Sequence, residues 1–584
     1  MDWTARIVDA VASVAAHRRR AVLALVTLCL VTLLPGVLRL PAVDRTETFF
    51  AESTRGMTER GNWLDPRFGE TVHKFRPIGT FWAQAASLSF AGDGNARNIA
   101  VYRLPSLIAV TLAAVALYWL SMPLVGATPA LIAAGLFAAA PLTAVVGTLA
   151  IADGIALLPA TIAMLSLLRI YCASDGAETR KLALFFWAAV GFGMLVNALH
   201  TPILVSTTLI ALFVMQRDLS WLRRLHLFPG ILIAVLLAAP WLYVRTLQDG
   251  VPFSGMTGQE FLAALGGAQD MKLRAFPGTF LLAAILGFLP GTALLAPALK
   301  RLWDERQTQL PRFLFAWIAG YIIYLELVSS KPGTYTVQVM FPAFAIAIAL
   351  LVQAWEGKLP LPKFHAIPKP LLAAPFALPL IAAPFVLMQQ LPSLSILPLA
   401  AAITVLFYVS AREGLAGRLW AWAVSGIAAI GLVTITMNGA VLPAIGKIWP
   451  TRQIERALAG CPPGPISVMG FREPASRFIL NSDASVATPD AVRNALVEGR
   501  ATYLVGEVRD EALRALTRFQ YRRPRPVACV EAYNAMRGCR LYFEILSTGD
   551  VSACSARDKF PCSPEFQAKA EALREASKQN KACN

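Results

Sequence analysis

The chain has 584 residues, 56% of them hydrophobic and 15% charged, and a mean hydropathy of +0.56. Those values exclude an ordinary soluble globular protein and indicate a chain that crosses a membrane many times. The net charge of +17 does not indicate nucleic acid as a partner, because the basic residues sit largely in short segments between apolar runs, where membrane topology needs them.

Residues 1–16 form an amphipathic stretch (Trp3, Ile7, Val8, Val11, Val14), followed by His17-Arg18-Arg19-Arg20 and an apolar run from Ala21 to Leu40. The run is long enough to span and lacks a small-residue cleavage site, which predicts an uncleaved first helix with its arginines in the cytoplasm. Further apolar segments fall at roughly 99–120, 128–146, 153–171, 182–199, 201–216, 228–246, 276–298, 313–329, 336–355, 371–389, 394–411 and 419–440, about thirteen spans in all. An odd count puts the chain ends on opposite sides. Arg180 and Lys181, Arg223 and Arg224, Lys300 and Arg301, Lys358 and Lys363, and Arg412 and Arg418 fall in loops that the positive-inside rule assigns to the cytoplasm, with the N-terminus. Two loops on the other face are long, about 43–98 and 247–275, and the aromatic and charged mixture of the first suggests amphipathic helices along the interface.

Residues 1–441 thus read as a membrane domain and 442–584 as a soluble α/β domain on the outer side. Strands are predicted at Ile466–Gly470, Ala501–Val505 and Cys539–Ile545, and helices at Pro489–Glu498 and Asp510–Phe519. The last thirty or so residues are polar and read as loosely held. Cys461, Cys529, Cys539, Cys554, Cys562 and Cys583 follow the last apolar run with no CxxC pair, which favours disulfides in an oxidising compartment over a zinc ribbon. Nearness in sequence favours Cys554 with Cys562.

Three sets of residues could carry chemistry. Acids gather just past the first span: Asp44, Glu47 and Glu52. Asp153 is the only acid between Arg103 and Asp175 and opens the next-but-one apolar run. A carboxylate at the mouth of a membrane helix is costly unless solvated, paired or used; solvated loop charges explain the first set equally well, and a helix N-cap explains Asp153. The third set is basic: His73, Lys74 and Arg76, then Lys272 and Arg274, then Lys331 with Tyr335. Such cations suit a lipid-linked phosphate, and they also suit plain attraction to anionic lipid heads. His200, between two spans, is a phosphate contact or an interfacial residue without a task. No metal-ligand spacing stands out, and a divalent metal is left open.

The order of these motifs resembles the aminoarabinose transferase and protein O-mannosyltransferase superfamily, the GT-C glycosyltransferases. Thr46-Glu47-Thr48-Phe49-Phe50-Ala51-Glu52 looks like its Asp-Glu-x-x-Tyr-Ala-Glu segment, and Gly61-Asn62-Trp63 its Gly-Asp/Asn-Trp step. Phe75-Arg76-Pro77-Ile78 is similar to Glu-Lys-Pro-Pro/Ile, Gly287-Phe288-Leu289-Pro290 to Gly-Phe-Leu-Pro, and Lys331-Pro332-Gly333-Thr334-Tyr335 to Lys-Leu-Pro-x-Tyr. The resemblance covers about residues 20–440. It implies a polyprenyl-phosphate sugar donor, a lipid or glycolipid acceptor such as lipid A, an active site on the periplasmic face of the bacterial inner membrane, and a site lined by the first-loop acid and Asp153. Thr46 stands where the family has its first acid, so Glu47 or Asp44 would take its place, and His200 stands about where the family often has Lys. The expected reaction is an inverting displacement at the anomeric carbon. A protein O-glycosyltransferase of the same superfamily and a non-catalytic lipid-carrier flippase or transporter are the alternatives; a transporter would need midplane polar residues that the predicted spans nearly lack.

Overall fold

A computed structural model describes residues 3–43, 45–68, 71–72, 77–173, 176–218, 220–249, 276–328, 334–356, 397–471, 473–480, 502–510, 513, 525–534, 538–547, 554 and 559–577. Among these, seven helices are long and apolar enough to cross a membrane, and nine if each of two sharply bent pairs counts as one span. The segment predicted at 371–389 lies outside the described residues. Burial sorts the helices: the span Tyr335–Trp355 is 83% buried and Ala152–Cys172 78%, while Arg18–Arg39 is 39% buried. The first two are the centre of the bundle and the last lies at its edge. Leu23, Val31, Ile108, Trp119, Leu184, Phe185, Ile210 and Leu236 are exposed, a surface that suits hydrocarbon.

The helices are α1 (Trp3–Ala16), α2 (Arg18–Arg39), α3 (Thr46–Glu59), α4 (Gly79–Ala91), α5 (Ile99–Val125), α6 (Ala127–Ala139), α7 (Pro141–Thr148), α8 (Ala152–Cys172), α9 (Ala177–Val196), α10 (His200–Gln216) and α11 (Leu227–Asp249). They continue with α12 (Thr279–Gly287), α13 (Leu295–Asp304), α14 (Gln309–Leu327), α15 (Phe341–Trp355), α16 (Leu397–Leu415), α17 (Leu419–Thr436), α18 (Pro450–Leu458), α19 (Pro474–Leu480) and α20 (Pro564–Ser577). Two expected spans are broken. Pro141 ends the run of α6, because it cannot donate to the preceding turn, and α7 departs at 61°. The segment Gly291–Asp304 turns by 110° from α12, and α13 buries Leu295, Ala298 and Leu302 while Lys300 and Asp304 stay exposed. Close helix approach needs small residues: a Cβ on Gly320 of α14 would lie 2.5 Å from the Thr207 carbonyl oxygen of α10.

The long first loop forms α3 and α4, joined through a short hairpin of β1 (Arg67–Phe68) and β2 (Thr71–Val72). The helices expected in this loop are present. Phe50, Met57, Phe81 and Ala85 of these helices pack on Leu195 at the end of α9 and on Trp241 of α11.

After α17 comes a four-stranded sheet of β3 (Ile466–Met469), β4 (Tyr503–Glu507), β5 (Arg525–Asn534) and β6 (Cys539–Ser547), in the order β3-β4-β6-β5. β3 and β4 are parallel and the other pairings antiparallel. Both faces are covered, as strand alternation requires. Leu541, Phe543 and Ile545 face Ile454 and Ala457 of α18, and Tyr542 faces Phe566 and Ala570 of α20. Three expectations change. β5 joins the predicted strands. The polar end of the chain is not loose throughout, since α20 buries its apolar stripe and Arg574 donates to the Val508 carbonyl at 2.8 Å. Cys554 does not pair with Cys562; among the described residues Cys461 is bonded to Cys554 and Cys529 to Cys562. The Cys529 amide donates to the Phe560 carbonyl at 3.0 Å, which lays the segment before Cys562 along β5 and overrides nearness in sequence. A non-reducing peptide map is expected to yield these two cross-linked pairs; a Cys554–Cys562 peptide would contradict this fold.

Candidate active site

The first-loop acid meets an arginine that no motif marked. Glu47, in the first turn of α3, and Arg103 of α5 are both fully buried. Arg103 Nε donates to Glu47 Oε1 at 2.6 Å and Nη2 to Oε2 at 2.7 Å, the bidentate geometry a guanidinium prefers. The remaining donors of Arg103 reach the carbonyls of Val37 at 3.1 Å, Leu40 at 2.7 Å and Pro41 at 3.0 Å. Those carbonyls lie at or beyond the C-terminal end of α2 and have no partner within the helix. Glu47 also accepts the backbone amides of Val43 at 3.0 Å and Ala150 at 2.8 Å. One ion pair therefore ties together the end of α2, the start of α3, α5 and the turn that precedes α8.

That turn delivers Asp153. Its Ala150 peptide is held from both sides: the amide by Glu47, and the carbonyl by Gln84 Nε2 of α4 at 3.2 Å. Gln84 is itself fixed, accepting from Thr54 Oγ1 of α3 at 2.8 Å. α8 then begins with Ile151 at its N-cap and Asp153 in the first turn. Asp153 is not the capping residue; as an acid in the first turn it complements the helix dipole. Its own carbonyl accepts from Gln338 Nε2 at 3.1 Å. Gln338 lies in a 3₁₀ turn, Thr334–Met340, that also carries Tyr335.

Tyr335 lies within electrostatic reach of both Asp153 and Glu47, and Tyr321 of α14 within reach of Asp153. The Tyr321 ring stacks near His200, centroids 6.2 Å apart at 21°, and lies 5.8 Å from Tyr324. Glu47, Asp153, Tyr335 and His200, scattered over nearly 300 residues of sequence, are thus brought to one region. Asp44, Lys74, Arg76, Lys272, Arg274 and Lys331 lie outside the described residues. Glu326 joins the flanks of two of these basic segments, accepting the amides of Gly278 at 2.7 Å and Leu281 at 2.9 Å. Gly278 follows Arg274 closely and Glu326 closely precedes Lys331. Among the described residues no group of three or more His, Cys, Asp and Glu side chains could hold a metal ion.

Arg103, Gln84, Thr54, Gln338 and Tyr321 are the members without a motif. Arg103 had one legible signal, a cation inside a predicted span, which must be paired. The two oxygens of Glu47 accept four hydrogen bonds, so both are already engaged.

The helical bundle with its C-terminal sheet matches the crystal structure of ArnT from Cupriavidus metallidurans in the apo state, with a TM-score of 0.67 and 18% identity over 91% of this chain and 98% of that one. The same protein bound to undecaprenyl phosphate gives 0.64 at 17% identity, covering 91% and 99%. The fold is that of the GT-C glycosyltransferases. Residues 75–244 match a family model described as dolichyl-phosphate-mannose-protein mannosyltransferase. Undecaprenyl phosphate-alpha-4-amino-4-deoxy-L-arabinose arabinosyl transferases are 27% identical in Pectobacterium carotovorum, over 53% of this chain and 54% of theirs, and 28% identical in Aeromonas hydrophila, over 54% and 56%. The chain spans about half the length of the curated relatives it matches. In sequence the chain is thus similar to aminoarabinose transferases, and in fold to ArnT.

Arg103→Met would leave a buried carboxylate without its cation, and Glu47→Gln would leave a buried guanidinium uncompensated with an amide NH2 facing two donors; each is expected to lower stability by about 3–5 kcal/mol, checked by thermal melting in detergent. Gly154→Ala would place a methyl 2.9 Å from Ser106 Cβ and even closer to the Val146 carbonyl, so it should lower the melting temperature and displace Asp153.

Proposed function

We propose that this protein transfers a sugar from a polyprenyl-phosphate carrier to an envelope glycolipid of the lipid A kind, on the periplasmic face of the inner membrane. The observation that carries the reading is the turn before α8, held at Ala150 by Glu47 and Gln84, with Asp153 in the first turn of the helix that follows. The similar arabinosyl transferases, whose names specify undecaprenyl phosphate-linked aminoarabinose, favour that carrier and sugar class. A family-model match to protein mannosyltransferases keeps a protein hydroxyl as the second acceptor class.

In this reading an acceptor oxygen attacks the anomeric carbon, the carbon–oxygen bond to the carrier phosphate breaks, and polyprenyl phosphate leaves as an anion. Asp153 orients the acceptor and takes the hydroxyl proton where there is one. Lys74, Arg76, Lys272, Arg274 and Lys331 are the proposed partners of the leaving phosphate, where charge develops. Tyr335 and His200 line the sugar and phosphate path. Asp44 is the proposed second carboxylate, since Glu47 is engaged with Arg103. No step needs a metal, and dependence on a divalent ion is tested directly by chelation.

The cytoplasmic N-terminus and periplasmic C-terminal domain belong to the same proposal. The basic loops support it, as do the disulfides after α17, which persist in an oxidising compartment. Alkaline phosphatase fused after residue 584 should be active in cells and inactive when fused at residue 216. In proteoliposomes supplied with undecaprenyl-phosphate aminoarabinose and lipid A, the wild-type protein should release undecaprenyl phosphate. Asp153→Asn should slow release by about a hundredfold or more without changing the melting temperature. Release by the wild type without modified acceptor, or full activity of the variant, would overturn the assignment.

A further inference from the structure

The outer sheet domain touches the membrane half of the site through one short helix, α19. Arg477 Nε lies 3.2 Å from Glu52 Oε1, and that carboxylate is only 4% exposed. The same guanidinium sits 5.9 Å from the ring centroid of Phe68 on β1, and Phe68 in turn lies 5.8 Å from Phe49 of α3. One arginine of the C-terminal domain thus bridges the helix that bears Glu47 and the hairpin that follows it. Next in sequence, Phe478 is buried, edge-on to Tyr102 of α5 at 5.6 Å and 83°. Phe478 shares a single apolar cluster with Ala51 of α3, Leu88 of α4, Val101 and Tyr102 of α5, and Ala150. Ala150 is the residue whose peptide Glu47 and Gln84 hold to place Asp153.

We propose that Arg477 and Phe478 are positioning residues of the site: the C-terminal domain sets the geometry of Glu47 and Asp153 by clamping α3 with an ion pair and wedging an aromatic ring beneath the turn before α8. Neither side chain touches the reacting atoms. Glu52 keeps a second partner, Arg55, which donates to it at 2.7 and 3.0 Å. Losing Arg477 therefore leaves no bare buried charge, and the variant should fold. The effect on catalysis rests on the sugar-transfer reading; the mechanical coupling does not.

The test uses full-length protein in liposomes, as wild type, Arg477→Ala, Arg477→Lys and Phe478→Ala, with two independent readouts. In hydrogen–deuterium exchange, Arg477→Ala and Phe478→Ala should each speed exchange in Thr46–Glu59 and around Ala150 by about tenfold, a local opening, while β4 and β6 exchange as in the wild type. In transfer assays with undecaprenyl-phosphate aminoarabinose and lipid A, kcat should fall by about tenfold at an unchanged donor KM, because a misplaced catalytic group loses transition-state stabilisation and not uniform binding. Arg477→Lys should recover most of both. Unchanged exchange in α3, equal acceleration throughout β4 and β6, or wild-type kcat in both truncation variants would each overturn the proposal. A wild-type protein that exchanges as expected but transfers no sugar would sink the functional reading alone, and the exchange comparison would still decide the coupling.

Discussion

A carboxylate and a guanidinium with no exposed surface, Glu47 and Arg103, fix the arrangement on which everything else near the site depends. Taking two ions out of water costs several kcal/mol each, and their attraction offsets that only when geometry is good and the other donors and acceptors are satisfied. Here both conditions hold: the contact is bidentate, Arg103 fills the carbonyls around the end of α2, and Glu47 takes two further amides. A hydrophobic pair of equal volume could match the stability. It could not bring a helix end, a helix start and a turn to one point, and that convergence is what the pair contributes.

From that point the order spreads outward in layers. The Ala150 peptide is gripped on its amide by α3 and on its carbonyl by α4, so α8 starts at one place with Asp153 in its first turn. α8 is also among the most buried spans, which denies it the tilting freedom of a helix facing lipid. Gln338 then ties the turn carrying Tyr335 to the same helix start. The backbone that carries Asp153 is held by side-chain hydrogen bonds from three other elements, the form of preorganisation that makes placement precise.

The C-terminal sheet is covered on both faces and cross-linked by Cys461–Cys554 and Cys529–Cys562. A domain so braced is a firm support for α19, and Arg477 and Phe478 carry that firmness to α3 and to Ala150. The C-terminal domain thereby packs against the residues around Glu47 and Ala150.

Much of this was legible in the residues. Composition and run length alone determined a polytopic chain, since about twenty consecutive apolar residues have no other stable place. Helices in the first loop, strands at β3, β4 and β6, and disulfides in the tail all followed from local pattern. Tertiary structure alone decided what those residues do. The spacing of Glu47 and Arg103 gives no sign that they meet, because their contact depends on how three helices pack. The cysteine pairing turned on which strand the segment at Phe560 lies against, and nearness in sequence pointed elsewhere. The partners of Glu47 were hidden for the same reason: a sequence shows which groups can ionise, whereas only packing shows which of their lone pairs are already engaged.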